Sequence, residues 1–280
     1  MSFRSILFVP GDRPDRFQKA LNSDADALIL DLEDSVAISK KPDARIAVSE
    51  FLRAPHSKPL FVRLNPISTD HFMQDVKALS GVKPDGYVLP KAEGPNDITN
   101  LANILGSNNA PILPVATETP RGVFELGNYS KVAPHLAGIT WGAEDLPAEI
   151  GAETSRLENG NYTPPFETVR SLALLGAHAA GVRAIETVYP NIKDLDGLAA
   201  YAARGRRDGF SGMMAIHPSQ CAIINQAFSP SEKEITRAKA IVSAFEENPE
   251  AGALQLDGEM IDAPHLKLAK QILERVEVKN

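Results

Sequence analysis

Eight short apolar runs alternating with helical patterns over 280 residues predict an α/β chain folded as a (β/α)8 TIM barrel, with a C-terminal helical extension. The count of eight and one further observation separate this fold from a doubly wound open sheet. No glycine-rich nucleotide fingerprint follows any of the runs. Most runs are also continuous rather than alternating, as parallel strands covered on both faces must be.

The expected strands are 5–10 (SILFVP), 27–32 (ALILDL), 59–64 (PLFVRL), 86–90 (GYVLP), 112–117 (ILPVAT), 137–142 (AGITWG), 183–189 (RAIETVY) and 212–217 (GMMAIH). Helical patterns lie between them. Residues 42–52 open on a proline that suits a first helical turn. Residues 95–106 carry Leu101, Ile104 and Leu105 at helical spacing and end on Gly106. The segment DLDGLAAYAARG follows the seventh run. Ser231, followed by Glu232 and Glu234, makes a good N-terminus for the helix over 231–248. Residues 143–164 form a long excursion rich in glycine and proline after the sixth run, and PHLKLAKQILERV predicts a helix in the tail. We therefore expect a barrel domain over 1–249 and an extension over 250–280, of the kind that often becomes a lid or an oligomer contact.

Composition narrows the function. The formal net charge of -7 argues against general nucleic-acid binding, and no apolar run has the length of a membrane span. The single Cys221 excludes an internal disulfide framework and a cysteine zinc site, so a reducing, cytoplasmic home is expected. The six histidines are scattered, with none paired at metal-ligand spacing.

Active sites of such barrels lie at the C-terminal ends of the strands. There the sequence places Asp31, Glu33 and Asp34 after strand two, Arg63 and Asn65 after three, Lys91 and Glu93 after four, Glu118 and Arg121 after five, and Glu144 and Asp145 after six. Glu186 and His217 belong to strands seven and eight. Carboxylates crowded into a low-dielectric mouth repel one another and take up protons unless a cation sits among them. Oxygen donors without a histidine cluster suit Mg2+, with Mn2+ a possible substitute. Glu118 and Asp145, on adjacent strands, are the natural metal pair. Arg63 offers a fork to a substrate carboxylate. Plainer readings stay open: Glu118 as a surface acid at a helix start, Asp145 as a helix N-cap, and Arg63 simply paired with Asp31. Asp31, Glu33 and Asp34 are supporting residues around these groups.

The segments RSILFVPGDRPDRFQKAL, LILDLEDSV, VRLNP, VLPKAE, ETPRGV, WGAEDLPAEIG and IHPSQ follow one another across nearly the whole chain. Together they resemble the HpcH/HpaI aldolase and citrate lyase β-subunit-like (CitE-like) family, closest to its malyl-CoA and citramalyl-CoA lyase-type members. The resemblance implies a Mg2+-dependent C–C lyase with CoA as part of the substrate. Such an enzyme cleaves or condenses a 3-hydroxy dicarboxylic acyl-CoA, yielding acetyl- or propionyl-CoA and a 2-oxo acid. It also implies a homotrimer or hexamer. By resemblance, Glu118 and Asp145 are the metal ligands and Arg63 binds the substrate. Arg16, Lys19 and His217 lie where the family meets CoA. A solvated helix face and a packed histidine are the plain alternatives for those three. The tail DGEMIDAPHLKLA resembles a C-terminal extension whose aspartate, here Asp262, serves a neighbouring subunit's site in proton transfer; the alternative is a helix N-cap. Glu186 stands where the family more usually has aspartate, which leaves its role open. Two other activities remain: a citrate lyase β-subunit working with an acyl-carrier partner, and a malyl-CoA-type thioesterase.

Overall fold

The computed structural model describes residues 3–106 and 110–277. Eight parallel strands run β1 (Ser5–Pro10), β2 (Ala27–Asp31), β3 (Leu60–Arg63), β4 (Gly86–Leu89), β5 (Ile112–Pro114), β6 (Ile139–Thr140), β7 (Ala184–Glu186) and β8 (Gly212–Ala215). Their spatial order is β5-β4-β3-β2-β1-β8-β7-β6. Bridges Ile112–Leu136 and Val115–Thr140 join the two ends. The hydrogen bonds Ala137 N to Ile112 O (2.8 Å) and Ala116 N to Thr140 O (3.0 Å) complete that seam, so the sheet closes into the expected barrel.

Each strand leads into an outer helix. These are α1 (Pro14–Leu21), α2 (Lys41–Phe51), α3 (Asp70–Leu79), α4 (Pro95–Leu105) and α5 (Pro120–Glu125). After β6 come α6 (Leu146–Ile150) and α7 (Pro164–Ala179), then α8 (Leu195–Asp208) after β7 and α9 (Pro218–Phe228) after β8. Six of the first seven carry proline in the first turn, where a missing N–H costs nothing. Phe3, Ile6, Ile29, Phe61, Val88, Leu113, Ile185 and Met214 share one buried cluster. Gly86 makes room for it, because a Cβ there would stand 2.2 Å from the Phe61 ring.

β1 fills its apolar run, and the other strands are shorter than theirs by one to four residues, β7 by four and the neighbouring pair β5 and β6 by three and four. There side chains take over the ladder. Thr117 Oγ1 donates to Gly142 O at 3.1 Å and accepts from Gly142 N at 3.0 Å. This stitch carries the alignment of the two strands past their last backbone bonds, to the level of Glu118.

A second compact unit begins at Phe228. It holds α10 (Glu232–Glu247), the antiparallel pair β9 (Ala253–Leu256) and β10 (Glu259–Asp262), and α11 (Ala263–Glu277). Ser231 and Glu234 form a reciprocal capping box at the start of α10. Ala238, Ile241, Ile261 and Ala269 form its own small core. The compact boundary therefore falls before α10, whereas the sequence reading drew it at 249. The hairpin is new relative to that reading. Its turn is Asp257-Gly258, with φ of 49° and 84°, the backbone that favours Asp-Gly between two short strands. No helix among the described residues is long and apolar enough to cross a membrane.

Candidate active site

A cavity of about 410 Å³ opens at the C-terminal ends of the barrel strands. Phe8 and Pro10 line it from β1, Asp31 and Arg63 from β2 and β3, and Val115 and Glu118 from the end of β5. Gly142 to Asp145 come from the segment after β6, Thr187 and Val188 from beyond β7, and Met214 and Ile216 from β8. Asp34 and Ser35 complete the wall. One side of the cavity is thus apolar and the other acidic.

Arg63 is gripped from three directions. Its Nε and Nη2 each donate to Asp31, at 2.7 Å to Oδ1 and 2.7 Å to Oδ2. Its Nη1 lies 2.8 Å from Glu33 Oε2. The guanidinium also stacks on the Phe8 ring, 4.7 Å from its centre. Asp31 is fully buried and further accepts Glu33 N at 2.9 Å and Ser35 N at 3.1 Å. Burial pushes the Asp31 carboxyl up, but the Arg63 charge and hydrogen bonds outweigh it and hold it below its ordinary range. The plain pairing of Arg63 with Asp31 is therefore present, and it qualifies the expectation of a fork for the substrate. The two-nitrogen edge of the guanidinium already holds Asp31. Only the Nη1 corner, shared with Glu33, is left for another anion.

The loop that carries Glu33 is anchored from beneath. Lys41 Nζ donates to Leu32 O (2.8 Å), Glu33 O (2.9 Å) and Asn65 Oδ1 (2.7 Å). Asn65 in turn donates to Leu32 O at 2.9 Å and to Asp75 Oδ2 at 2.7 Å, and Arg45 Nε donates to Asp75 Oδ1 at 2.7 Å. A buried ammonium is tolerated when its donors are met by acceptors in this way.

Glu118 is only 5% exposed, which removes the surface-acid reading. Lys91 N donates to its Oε2 at 2.6 Å. Gly142 lies directly against it: a Cβ there would stand 2.8 Å from Glu118 Cγ and 3.1 Å from Oε1. Asp145 immediately precedes α6, but its side chain makes no cap hydrogen bond. Its Oδ1 instead lies 3.0 Å from Lys91 Nζ.

Burial first, then the negative charges of Glu33 and Asp145, pushes the Glu118 carboxyl up to about 8, against the pull of the Lys91 N–H. Burial likewise raises Glu33 to about 7. These shifts fix a sign. The folded chain binds the Glu118 proton more tightly than the unfolded chain does, whose ordinary value is 4.5. The stabilisation is complete below 4.5 and is lost as pH rises to about 8. In a chelator-containing buffer the melting temperature is therefore expected to fall across that window. Glu118→Gln should flatten the trend in a thermal-melt series, and an equal slope in the variant would refute the assignment.

The same features suit a divalent cation. A buried carboxylate forced toward its neutral form, beside a second acid and against a glycine, is relieved by a hard cation. Among the described residues there is no group of three or more His, Cys, Asp or Glu placed to enclose a metal. Two carboxylates with the remaining positions left to water and substrate is the arrangement Mg2+ favours.

The HpcH/HpaI aldolase/citrate lyase family model matches residues 4–218, most of the chain and every strand of the barrel. The chain belongs to this family. A second model, for C–C bond lyases of the TIM-barrel fold, matches residues 168–279 and so takes in the tail. Among relatives, a citrate lyase subunit beta-like protein of Mycobacterium tuberculosis is 37% identical over 270 residues, spanning 96% of this chain and 94% of the relative. A (3S)-malyl-CoA thioesterase of Cereibacter sphaeroides is 35% identical over 283 residues, spanning 98% of this chain and 95% of the relative. The crystal structure of CitE from Mycobacterium tuberculosis in complex with magnesium, acetoacetate and coenzyme A superposes with a TM-score of 0.83. It has 33% identity and covers 99% of this chain and 98% of that one.

Within this family member, the barrel brings together Asp31, Glu33, Asp34, Arg63, Glu118 and Asp145. Arg16 and Lys19 stand exposed on α1 and do not line the cavity. His217 is also exposed, its Nδ1 2.8 Å from Ser219 Oγ, so the packed-histidine alternative does not hold. Asp262 belongs to the second unit and pairs there with His265, Nδ1 to Oδ1 2.6 Å. Glu186 is fully buried and is a structural hub. It accepts from Trp141 Nε1 (2.5 Å), Arg170 Nε (2.8 Å) and Tyr201 OH (2.8 Å). That hub fixes the strand end from which Thr187 faces the cavity. Sequence reasoning gave no site role to Lys91, Gly142 or Lys41. The signal for Lys91 and Gly142 was their place in VLPKAE and WGAEDL, beside the acids they serve.

Proposed function

We propose that the chain is a Mg2+-dependent C–C lyase acting on a 3-hydroxy dicarboxylic acyl-CoA such as malyl-, methylmalyl- or citramalyl-CoA. The observation that carries this is the pairing of buried Glu118 with Asp145 across one cavity from an arginine held by acids. A divalent cation bound by Glu118 and Asp145 would supply Lewis-acid polarisation of the substrate's hydroxyl and carboxylate oxygens. The chain's own residues do the rest. The Nη1 corner of Arg63 meets the substrate carboxylate, taking the place of Glu33, and stabilises charge on the oxo-acid side. The apolar wall of Phe8, Val115, Met214 and Ile216 keeps water from the bond that breaks.

In the cleavage direction the substrate hydroxyl gives its proton to solvent water at the mouth of the cavity, and its C–O bond becomes the carbonyl of a 2-oxo acid. The electron pair of the C–C bond passes to the thioester enolate. Asp262, supplied by a neighbouring copy, then protonates the enolate carbon to give acetyl-CoA or propionyl-CoA. Arg16, Lys19 and His217 receive the CoA portion. A homotrimer or hexamer would bring each Asp262 to a partner's site.

A second reading has a specific support: the Cereibacter sphaeroides relative is a (3S)-malyl-CoA thioesterase. In that case the same pocket would direct water to the thioester. A Haemophilus influenzae relative 32% identical is a citrate lyase subunit beta, which supports a third reading with a carrier-protein partner.

One panel assay separates them. Purified protein with Mg2+ is given malyl-, methylmalyl-, citramalyl- and citryl-CoA, and both 2-oxo acid and free CoA are followed. Oxo acid from one ester, lost with EDTA and in Asp262→Ala, is the expected result. Free CoA with intact hydroxy acid would replace the lyase by a thioesterase. Silence on all four would move the substrate onto a carrier protein.

A further inference from the structure

Lys91 serves two carboxylates from its two ends. Its backbone N–H donates to Glu118 Oε2 at 2.6 Å, and its ammonium lies 3.0 Å from Asp145 Oδ1. To do this it adopts φ of 49°, a left-handed conformation rare for a residue with a side chain. The turn is held there by its surroundings: β4 ends at Leu89, Ala92 N bonds to Val115 O at 3.3 Å, and Gly94 follows with φ of 121°. The two ends differ in freedom. The backbone is fixed by the turn, while the ammonium sits at the rim, with the side chain 35% exposed and that of Asp145 31% exposed. Arg63, by contrast, is locked by Asp31, Glu33 and the Phe8 ring.

We infer that Lys91 sets the affinity of the acid pair for a divalent cation, holding Glu118 in place through its N–H while its ammonium competes with the cation for Asp145. The inference rests on the reading of Glu118 and Asp145 as cation ligands. It follows from simple electrostatics. A divalent ion and an ammonium cannot both take the near face of one carboxylate, and each repels the other in a pocket partly shielded from water. The ammonium is long-stemmed and well hydrated, so it can swing off Asp145 into solvent. Until it does, the bare acid pair binds metal less tightly than its charge alone would dictate. An anionic substrate that brings further oxygen ligands tips the exchange. Lys91 thus favours arrival of the cation together with substrate over a permanently loaded site.

The test uses full-length protein and Mn2+ as probe, with free Mn2+ measured by electron paramagnetic resonance and no substrate present. Lys91→Met and Lys91→Gln keep the backbone N–H and remove the charge. Both are expected to bind Mn2+ about threefold to tenfold more tightly than wild type. Lys91→Arg, which restores the charge, is expected to return the affinity to near the wild-type value. Unchanged or weaker binding in the folded neutral variants overturns the inference. Wild-type Mn2+ binding that survives Glu118→Gln and Asp145→Asn would instead overturn the ligand assignment itself, and this role for Lys91 with it.

Discussion

Glu118→Gln is expected to lower Mg2+-dependent turnover by about 10³-fold or more without loss of folded stability. The two halves of this result have one cause. Burial and neighbouring acids push the Glu118 carboxyl up to about 8, so near neutral pH the fold is most comfortable with an uncharged group there. Glutamine has the same shape and is always neutral. It can still accept from the Lys91 N–H, and it fits against Gly142 as glutamate does. What it lacks is the ionised oxygen that a hard cation needs. Turnover at saturating Mg2+ and a melting curve in EDTA, taken on the same preparation, check the prediction. A variant that melts well below wild type would mean that the carboxylate is structural, and retained turnover would remove it from the chemistry.

The second large effect is on stability. Arg63→Met is expected to cost about 3–5 kcal/mol, because it strands two buried acids at once. Asp31 is fully buried and loses two hydrogen bonds of 2.7 Å, and Glu33 loses its ion pair at 2.8 Å. The sign with pH is fixed by Asp31. In the native chain Arg63 holds that carboxyl below its ordinary 3.8, so the pair contributes stability at neutral pH that is lost only as acid protonates it. Without the guanidinium, burial alone acts and Asp31 takes up a proton more readily. The deficit of the variant should therefore be largest at neutral pH and shrink as pH falls toward the ordinary carboxylate range. Denaturant unfolding at several pH values measures it. A deficit independent of pH would show that lost packing against Phe8, rather than stranded charge, is responsible.

Much of the barrel is legible in the sequence because parallel strands buried on both faces need continuous apolar runs. Residues 27–31 and 86–89 are buried throughout, and such a run has few other uses in a chain of this length. Glu118 and Asp145 are legible for a related reason: an acid at the end of a buried strand must be paired, neutral or bound. What escapes is whatever depends on a loop's conformation. Arg63 reads as either a fork for substrate or the partner of Asp31, and only the loop after β2, folded back and pinned by Lys41 from a helix that starts ten residues beyond the strand, shows that Glu33 holds it as well. Lys91 is placed at the barrel mouth by the sequence but given no role there, because neither its left-handed backbone nor its reach to Asp145 has a signature in residue type. The hairpin of the second unit is a different case. Asp257-Gly258 between two alternating tetrapeptides is a strong turn signal, obscured here by the pull of the helical pattern that follows.

The barrel's geometry also explains why its acids gather without unfolding it. Asp31 ends β2, and Glu33, Glu118 and Asp145 follow two to five residues after the ends of β2, β5 and β6, where the chain leaves the ladder for a loop. Positive groups are interleaved with them: Arg63 between Asp31 and Glu33, and Lys91 between Glu118 and Asp145. The first pairing is locked and suits a binding anchor. The second is half open and suits an exchange of cations. The division of labour across the cavity thus follows from burial.

The most direct measurement is an anomalous-difference map from crystals of the protein grown with Mn2+. One strong peak is expected, contacting both the Glu118 and Asp145 carboxylates, with the Lys91 ammonium moved off Asp145. Metal-dependent turnover with no peak at that pair, or with a peak held by other residues, would contradict this.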